Sequence, residues 1–245
     1  NDRRETGEVT PYAAVVWDFA RDWSTYASYT DIFKPQNNKT ISGDFLDPQT
    51  GSSYELGIKG SLLNDRLNVS AAIYKAKQDN LAVAIVPQTF TPDGATAFEA
   101  KSGTSTRGFE VEVSGEVQPG WQLSAGFARN MTRYRDGARL RTEVPQNTVK
   151  LATSYRIASV GSGLTVGGAL RWQSEIYSDN QGPARVRFVQ PSYAVTDLFL
   201  KYAFTPRLLA TLNINNVFDK RYYATTGNSY YGTPRQFRVG LEARF

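Results

Sequence analysis

Apolar and polar side chains alternate along the carboxyl-terminal stretch of the chain. Phe237, Val239 and Leu241 fall on one side of an extended backbone, and Arg238 and Glu242 fall on the other. Because a strand has a side-chain period of two, this stretch predicts a β-strand with one apolar and one charged face. In a soluble sandwich the apolar face would meet a second sheet. In an outer-membrane barrel it meets lipid, and the charged face lines a wet lumen.

The same alternation recurs along the whole chain, and no sustained helical spacing of apolar residues interrupts it. Most runs approach or exceed the roughly 9–11 residues that a tilted strand needs to cross a bilayer. Eleven strands are predicted, at residues 9–19, 23–33, 53–63, 67–77, 107–117, 121–134, 148–157, 164–177, 193–204, 208–223 and 234–245. The chain is therefore predicted to be all-β.

The connections between these strands alternate strictly between short and long. The short ones are residues 20–22, 64–66, 118–120, 159–163 and 205–207, and the long ones are 34–52, 78–106, 135–147, 178–192 and 224–233. Tight periplasmic turns at one end and long extracellular loops at the other are typical of outer-membrane proteins. We therefore predict an antiparallel up-and-down transmembrane β-barrel. A soluble β-sandwich binding module stays the alternative, although it has no reason to sort its loops by end.

Aromatic residues form two bands in this arrangement. One band lies beside the tight turns, at Phe19, Trp23, Trp121, Phe204 and Phe245, and the other at the opposite strand ends, at Phe33, Tyr74, Tyr134, Tyr177, Tyr222 and Tyr223. Amphipathic rings concentrate at the two interfaces of a membrane, whereas ordinary core aromatics would be scattered along the strands. The bands favour the membrane barrel.

Histidine and cysteine are both absent from the 245 residues. Their absence excludes disulfides, thiolate metal sites and Ser-His or Cys-His nucleophile pairs, so an outer-membrane lipase or protease would lack its proton-transfer group. Mean hydropathy is −0.43, and no window approaches the roughly 18 uninterrupted apolar residues of a membrane helix. Residues 1–8 are polar and charged, so we expect the chain to begin within a longer protein.

Several stretches together resemble a known family. They are residues 28–36, 51–74, 106–128, 212–223 and 231–245, including the run NNVFDKRYY and a last strand that opens with YGTPR and closes with Phe. The chain resembles the carboxyl-terminal half of a TonB-dependent siderophore receptor. The sequence of these stretches is most similar to the branch that takes up ferric siderophores of the pyoverdine, coprogen and ferrioxamine kind.

The resemblance implies a barrel of about 22 strands with a plugged lumen. Residues 1–245 would then be the carboxyl-terminal part of the barrel domain, about its last eleven strands, with the plug domain and the first strands absent. The even strand count of single-chain bacterial barrels agrees with this expectation, because eleven strands alone should not close.

The function implied is an outer-membrane receptor and active transporter for ferric siderophores, energised through TonB by the absent amino-terminal part. The alternatives are a passive porin, an adhesin-like barrel, or a TonB-dependent importer of another substrate. Iron would arrive as a siderophore complex, so no metal ligand, cofactor or catalytic residue is expected from the protein. Expected partners are the siderophore, TonB, outer-membrane lipid and lipopolysaccharide, and the barrel assembly machinery, but no nucleic acid.

Candidate binding residues fall into three groups near the predicted outer ends of the strands. The first is a basic group around one hairpin, which would attract an anionic ferric complex or lipopolysaccharide phosphates. The second and third are aromatic and basic walls suited to stacking and to hydrogen bonds with a siderophore. The groups are Arg129, Arg133, Arg135, Arg139 and Arg141; Trp172, Tyr177, Arg185 and Arg187; and Tyr222, Tyr223, Tyr230 and Tyr231.

Each group also has a simpler interpretation. The basic group can also be interpreted as a solvated hairpin, and the tyrosines as residues of the interfacial belt. Charges in the middle of strands, such as Glu55, Lys150, Asp197 and Arg238, are interpreted as structural pairs that hold a plug in a polar barrel. Phe245 resembles the terminal aromatic residue that the barrel assembly machinery reads during folding.

Overall fold

The structure is a computed structural model that describes residues 6–159, 163–227 and 230–244. Fifteen antiparallel strands make up the secondary structure of these residues, and eleven of them form one sheet in the order β1-β2-β3-β4-β7-β8-β9-β10-β13-β14-β15. The remaining four pair as two short hairpins, β5–β6 and β11–β12. No helix in the described part of the chain is long and apolar enough to cross a membrane.

The eleven predicted strands are confirmed as the eleven strands of the sheet. Their neighbours in the sheet are their neighbours in sequence, apart from the two inserted hairpins, as an up-and-down meander requires. The bounds are β1 (Tyr12–Ala20), β2 (Trp23–Lys34), β3 (Gln49–Leu62), β4 (Leu67–Asp79), β5 (Leu81–Ala84), β6 (Phe98–Lys101), β7 (Thr104–Gln118), β8 (Trp121–Arg133), β9 (Asn147–Ile157), β10 (Leu164–Gln173), β11 (Ile176–Gln181), β12 (Val186–Gln190), β13 (Tyr193–Thr205), β14 (Leu208–Asn215) and β15 (Gln236–Ala243).

The predicted end of the tenth strand, at residue 223, is wrong. β14 ends at Asn215 because the next residue, Asn216, adopts a left-handed φ of 51° and turns the backbone. The buried Asn216 amide holds this turn: its Oδ1 accepts from the Lys220 N–H at 2.8 Å, and its Nδ2 donates to the Thr233 carbonyl at 3.0 Å. Tyr222 and Tyr223 consequently lie in the last long connection and not at a strand end.

The predicted end of the eighth strand, at residue 177, is also wrong. β10 leaves the sheet after Gln173, and Ile176 begins the separate hairpin β11–β12. Ile176 is fully buried at 1% exposure, and the Tyr177 N–H donates to the Thr142 carbonyl at 2.9 Å. The predicted strand extended past Gln173 because β11, a shorter strand, begins only three residues later. Two predicted features, residues 160–162 of one tight turn and Phe245, lie outside the described residues.

Contacts divide the chain into two compact units, and the first comprises Asn1–Ile58, Ala72–Phe109 and Asn130–Leu140. Leu46, Leu81 and Ala97, which lie between β2 and β3 and between β4 and β7, are buried in this unit. Gln36 links three segments, because its Nε2 donates to the Asn80 carbonyl at 2.9 Å and its Oε1 accepts from Gln49 at 3.1 Å. The connection after β2 and the hairpin β5–β6 are thus ordered parts of this unit.

The second unit comprises Lys59–Ala71, Glu110–Arg129 and Arg141–Phe245. Cross-strand pairs place side chains on a common face. One face is apolar, and its members pair in the registers Gly168↔Leu198, Val166↔Leu200, Leu212↔Val239 and Ala210↔Leu241. The other is polar, with the registers Ala169↔Asp197, Thr165↔Lys201 and Asn213↔Arg238. Val239 is 81% exposed and Leu241 71%, which suits lipid and not water.

One charge pair expected between neighbouring strands is observed on the polar face. Arg171 Nη2 on β10 lies 3.2 Å from Asp197 Oδ2 on β13. The second oxygen of Asp197 accepts from the Asn216 N–H at 2.7 Å, so the carboxylate also fixes the end of β14. These contacts give Asp197 a structural role in the wall of the sheet.

Candidate functional site

The hairpin β11–β12 carries an arginine that is held over an aromatic ring. The Arg187 guanidinium lies 4.2 Å from the centre of the Tyr177 ring. Its Nε and Nη2 donate to the two carboxylate oxygens of Asp179 at 2.6 Å and 3.2 Å. The hydrogen bonds to Asp179 raise the pKa of Arg187 above its ordinary value, so the guanidinium stays charged. A planar cation with a fixed orientation results.

The last long connection places two further rings beside this hairpin. Tyr223 and Tyr231 stack with their ring centres 4.4 Å apart, and their phenol oxygens are hydrogen-bonded at 2.9 Å. Phe188 of β12 packs edge-on against Tyr223 at 4.7 Å. The hydrogen bond with Tyr231 raises the pKa of Tyr223, which therefore stays a neutral phenol at physiological pH. We call Tyr177, Arg187, Phe188, Tyr223 and Tyr231 the outer cluster.

Buried polar groups attach the hairpin to the last connection. Gln190 is 6% exposed, and its Oε1 accepts from the Tyr223 N–H at 2.8 Å. Thr226 is fully buried, and its hydroxyl lies 2.7 Å from that of Ser178. Buried polar groups that are fully paired specify one arrangement of the segments that they join. The outer cluster is therefore preorganised by contacts beneath it.

The remaining members of the two predicted aromatic walls are not part of the outer cluster as defined by its contacts. Tyr222 stacks on Tyr193 of β13 with ring centres 4.3 Å apart, and Gly232 has no side chain because its Cβ would overlap the Tyr222 ring. Tyr230 is 63% exposed. Arg185 is exposed in the turn between β11 and β12.

Trp172 lies on the apolar face of the sheet. It pairs with Val149 of β9 and with Ala194 of β13, and it shares the alternation of Leu170. A tryptophan at the end of an apolar face suits the interfacial belt.

The basic group predicted around the β8–β9 hairpin is divided between the two units. Arg133, Arg135 and Arg139 belong to the first unit, where Arg133 forms a backbone bridge with Arg139 and donates to the Gly137 carbonyl at 2.8 Å. In the second unit, Arg129 pairs with Asn147 in the β8–β9 register, and Arg141 has a left-handed φ of 55°.

Phe188, Gln190 and Thr226 are structural members of the site that were not predicted from the sequence. The run VRFVQ at β12 is rich in β-branched and aromatic residues, which is a signal for a short strand, and Phe188 stands at its centre. Gln190 ends this run and Thr226 lies in a polar stretch, and neither position carries a sequence signal of burial. Among the described residues, no group of three or more His, Cys, Asp or Glu side chains could hold a metal ion.

Comparison with known proteins gives matches that cover nearly the whole chain. Residues 1–217 match the family described as TonB dependent receptor-like, beta-barrel. The ferric-pyoverdine 358 receptor of Pseudomonas putida is 44% identical over 98% of this chain and 30% of its own length. The ferric-pyoverdine BN7/BN8 receptor of the same species is 41% identical over 100% of this chain and 29% of its own length.

A solved structure shows the same arrangement of strands. It is the crystal structure of the ferripyoverdine receptor of the outer membrane of Pseudomonas aeruginosa bound to ferripyoverdine, with a TM-score of 0.86 and 35% identity. The match covers 98% of this chain and 33% of that one. The chain thus spans about a third of the length of these relatives, and the resemblance seen in the sequence is confirmed. The chain belongs to the β-barrel family of TonB-dependent receptors.

Proposed function

We propose that the chain is the carboxyl-terminal part of an outer-membrane transporter that imports ferric siderophores with energy delivered through TonB. The outer cluster is the observation that carries this proposal. It offers stacked rings and a fixed cation beside each other, held by buried hydrogen bonds. The names of the two Pseudomonas putida relatives, both ferric-pyoverdine receptors, support the siderophore as the substrate class.

The chemistry of the outer cluster fits a large iron complex. Aromatic rings stack on planar or conjugated groups, and phenols donate hydrogen bonds to chelating oxygens. The guanidinium N–H groups of Arg187 that are not bonded to Asp179 can donate to carboxylate or hydroxamate oxygens in a directed way. Ferric iron is cargo here and is wrapped by the siderophore, so the function needs no ligand from the protein.

The family supports an inference about the rest of the transporter. We infer that residues 1–245 form the last part of a barrel of about 22 strands, whose plug and TonB-contacting segment belong to the part of the relatives that this chain does not span. Phe245 is inferred to be the signal for the barrel assembly machinery. The family is one of receptors and transporters, and we propose no catalytic role for this chain.

Uptake of radioactive iron by the natural full-length protein tests the function. Cells that lack the gene should lose uptake of one or more complexes from a panel of ferric pyoverdines and ferric hydroxamates, and the restored gene should recover it. A strain without TonB should show the same loss. Uptake that is unchanged for every ferric complex in the panel would contradict the proposal, and uptake that persists without TonB would favour a passive porin.

A further inference from the structure

Five cations lie at the outer ends of three strands that are neighbours in the sheet. Here the outer end means the strand end that carries the long connections. Lys75 and Lys77 belong to β4, Arg107 to β7 and Arg133 to β8, while Arg135 follows β8 directly. All five side chains are exposed, and all belong to the first unit. We call these five residues the basic patch.

Alternation places the patch on the apolar face of the sheet. Lys75 and Lys77 share the parity of Ile73, which is 58% exposed, and Arg107 shares the parity of Phe109, which is 39% exposed. The hydroxyls of Thr106 and Thr132 lie 3.1 Å apart across β7 and β8. Because neighbours along a strand point to opposite faces, Arg107 and Arg133 both point away from this threonine pair.

The cations line two cavities that share Arg107 and Arg135. One has a volume of about 440 Å³ and is also lined by Lys75, Lys77 and Asp79. The other has a volume of about 260 Å³ and is also lined by Arg133. Arg135 reaches the first cavity across Gly103, whose left-handed φ is 72° and whose missing side chain leaves room for the arginine stem.

The carboxylates near the patch are engaged in local hydrogen bonds. Asp79 Oδ1 accepts from the Gly103 N–H at 2.6 Å, and Asp136 Oδ1 accepts from the Ala138 N–H at 2.9 Å. Glu99 pairs with Lys101 at 2.9 Å. Asp79 is the one carboxylate that lines the larger cavity, against four cations. The cavity therefore keeps a strong positive charge that a multiply charged anion would neutralise.

The position of the patch along the strands, relative to the exposed apolar residues, indicates the kind of anion. Lys75 lies two residues beyond Ile73 and Arg107 lies two residues before Phe109, which is a distance of about 7 Å along each strand. Charges just outside an apolar belt meet the headgroups of the outer leaflet, while the apolar residues below them meet acyl chains. We propose that the basic patch binds the phosphates of a phosphorylated glycolipid of the outer leaflet, of the lipid A type, whose acyl chains cover Ile73 and Phe109.

Native mass spectrometry of the detergent-solubilised full-length receptor tests the proposal. The probes are lipid A with both phosphates, lipid A with one phosphate, and soluble inorganic pyrophosphate. Replacing four cations in Lys75→Gln/Lys77→Gln/Arg107→Gln/Arg135→Gln should weaken binding of diphosphorylated lipid A about tenfold or more. The lipid with one phosphate should bind more weakly than that with two, and pyrophosphate should not bind.

A matched control removes cations from tight turns at the other end of the strands. Arg21→Gln/Arg66→Gln/Arg207→Gln should bind diphosphorylated lipid A as the unmodified receptor does. A variant is folded if its unheated sample keeps the electrophoretic mobility of the unmodified receptor. If the quadruple variant fails this check, Lys77→Gln alone provides a milder variant. Unchanged binding in the folded patch variant, an equal loss in the control, or binding of pyrophosphate as tight as that of lipid A would overturn the proposal.

Discussion

The outer cluster and the basic patch both lie at strand ends with long connections, but they differ in how their polar groups are satisfied. In the outer cluster, Arg187 has Asp179 as its partner and Tyr223 has Tyr231. In the basic patch, the cations outnumber the carboxylates that line the same cavity. Rings and charges that are paired with one another form a surface of fixed shape, which suits a ligand of defined shape. An excess of cations over carboxylates suits the phosphate groups of a lipid. The two groups of residues, each beside long connections, thus indicate different partners.

The largest expected effect separates the two regions by ligand. The double variant Tyr223→Ala/Tyr231→Ala removes the stacked pair and should weaken binding of the ferric siderophore by about tenfold or more, as truncation of an anchoring ring does. Binding of lipid A should not change. Titration of the full-length receptor with both ligands measures this. The variant Tyr230→Ala is the matched control, and a similar loss in the control would contradict the assignment.

The next effect concerns the attachment of the hairpin beneath the outer cluster. The variants Ser178→Ala and Thr226→Val each remove one partner of a buried hydrogen bond, which should destabilise the local packing by about 1 kcal/mol. Amide hydrogen exchange of β11 and β12 should accelerate accordingly, while that of β5 and β6 should not. Ser192→Ala, at an exposed position, is the control. Equal exchange in all variants would show that the hairpin does not depend on this contact.

A smaller effect is expected from the cation of the outer cluster. Arg187→Gln loses both the contact with the Tyr177 ring and the paired hydrogen bonds to Asp179, and siderophore affinity should fall about twofold to fivefold. Arg187→Lys should fall in between, because it keeps the charge but not the planar fork. The salt dependence of binding should weaken in Arg187→Gln. If the exposed Arg185→Gln has the same effect, charge alone and not the cluster is responsible.

The smallest effect is a pH dependence within the first unit. Hydrogen bonds from Lys39 and then Thr91 lower the pKa of Asp93 from 3.8 to about 2. A carboxylate with a lowered pKa stabilises the fold above its ordinary pKa, and this contribution is lost as the pH falls through about 2. Protection of the Ala95 amide, which donates to Thr91, should therefore decline between about pH 4 and pH 2. Asp93→Asn should remove this decline, and an identical decline in that variant would contradict the assignment.

The sheet could be predicted from the sequence because the alternation of apolar and polar residues is long in most of its strands. A period of two over ten or more residues, bounded by turn residues, identifies each strand without knowledge of its partner. β5 and β6 have only four residues each, and β5 is apolar throughout, so no alternation of apolar and polar residues identifies it as a strand. The end of β14 could not be predicted, because Val217 and Phe218 continue the apolar run while the side-chain hydrogen bonds of Asn216 turn the backbone.

The candidate site could be predicted only as separate pieces. Tyr177, Arg187, Tyr223 and Tyr231 were all named from the sequence, since aromatic and basic residues near outer strand ends suit a siderophore. Their assembly depends on Gln190 and Thr226, whose burial arises from contacts more than thirty residues apart in the chain. The basic group was predicted as one cluster, but Arg133 and Arg135 line cavities with Arg107, and Arg135 shares one of them with the lysines of β4.

The structure of the full-length receptor with its ferric siderophore, determined by cryo-electron microscopy, tests the central claim most directly. The quantity to measure is the shortest distance between siderophore atoms and the side chains of Tyr223, Tyr231 and Arg187. We predict that at least one of these side chains lies within the contact distance of about 4.5 Å. A bound siderophore that touches none of the three would contradict the assignment of the outer cluster as the binding site.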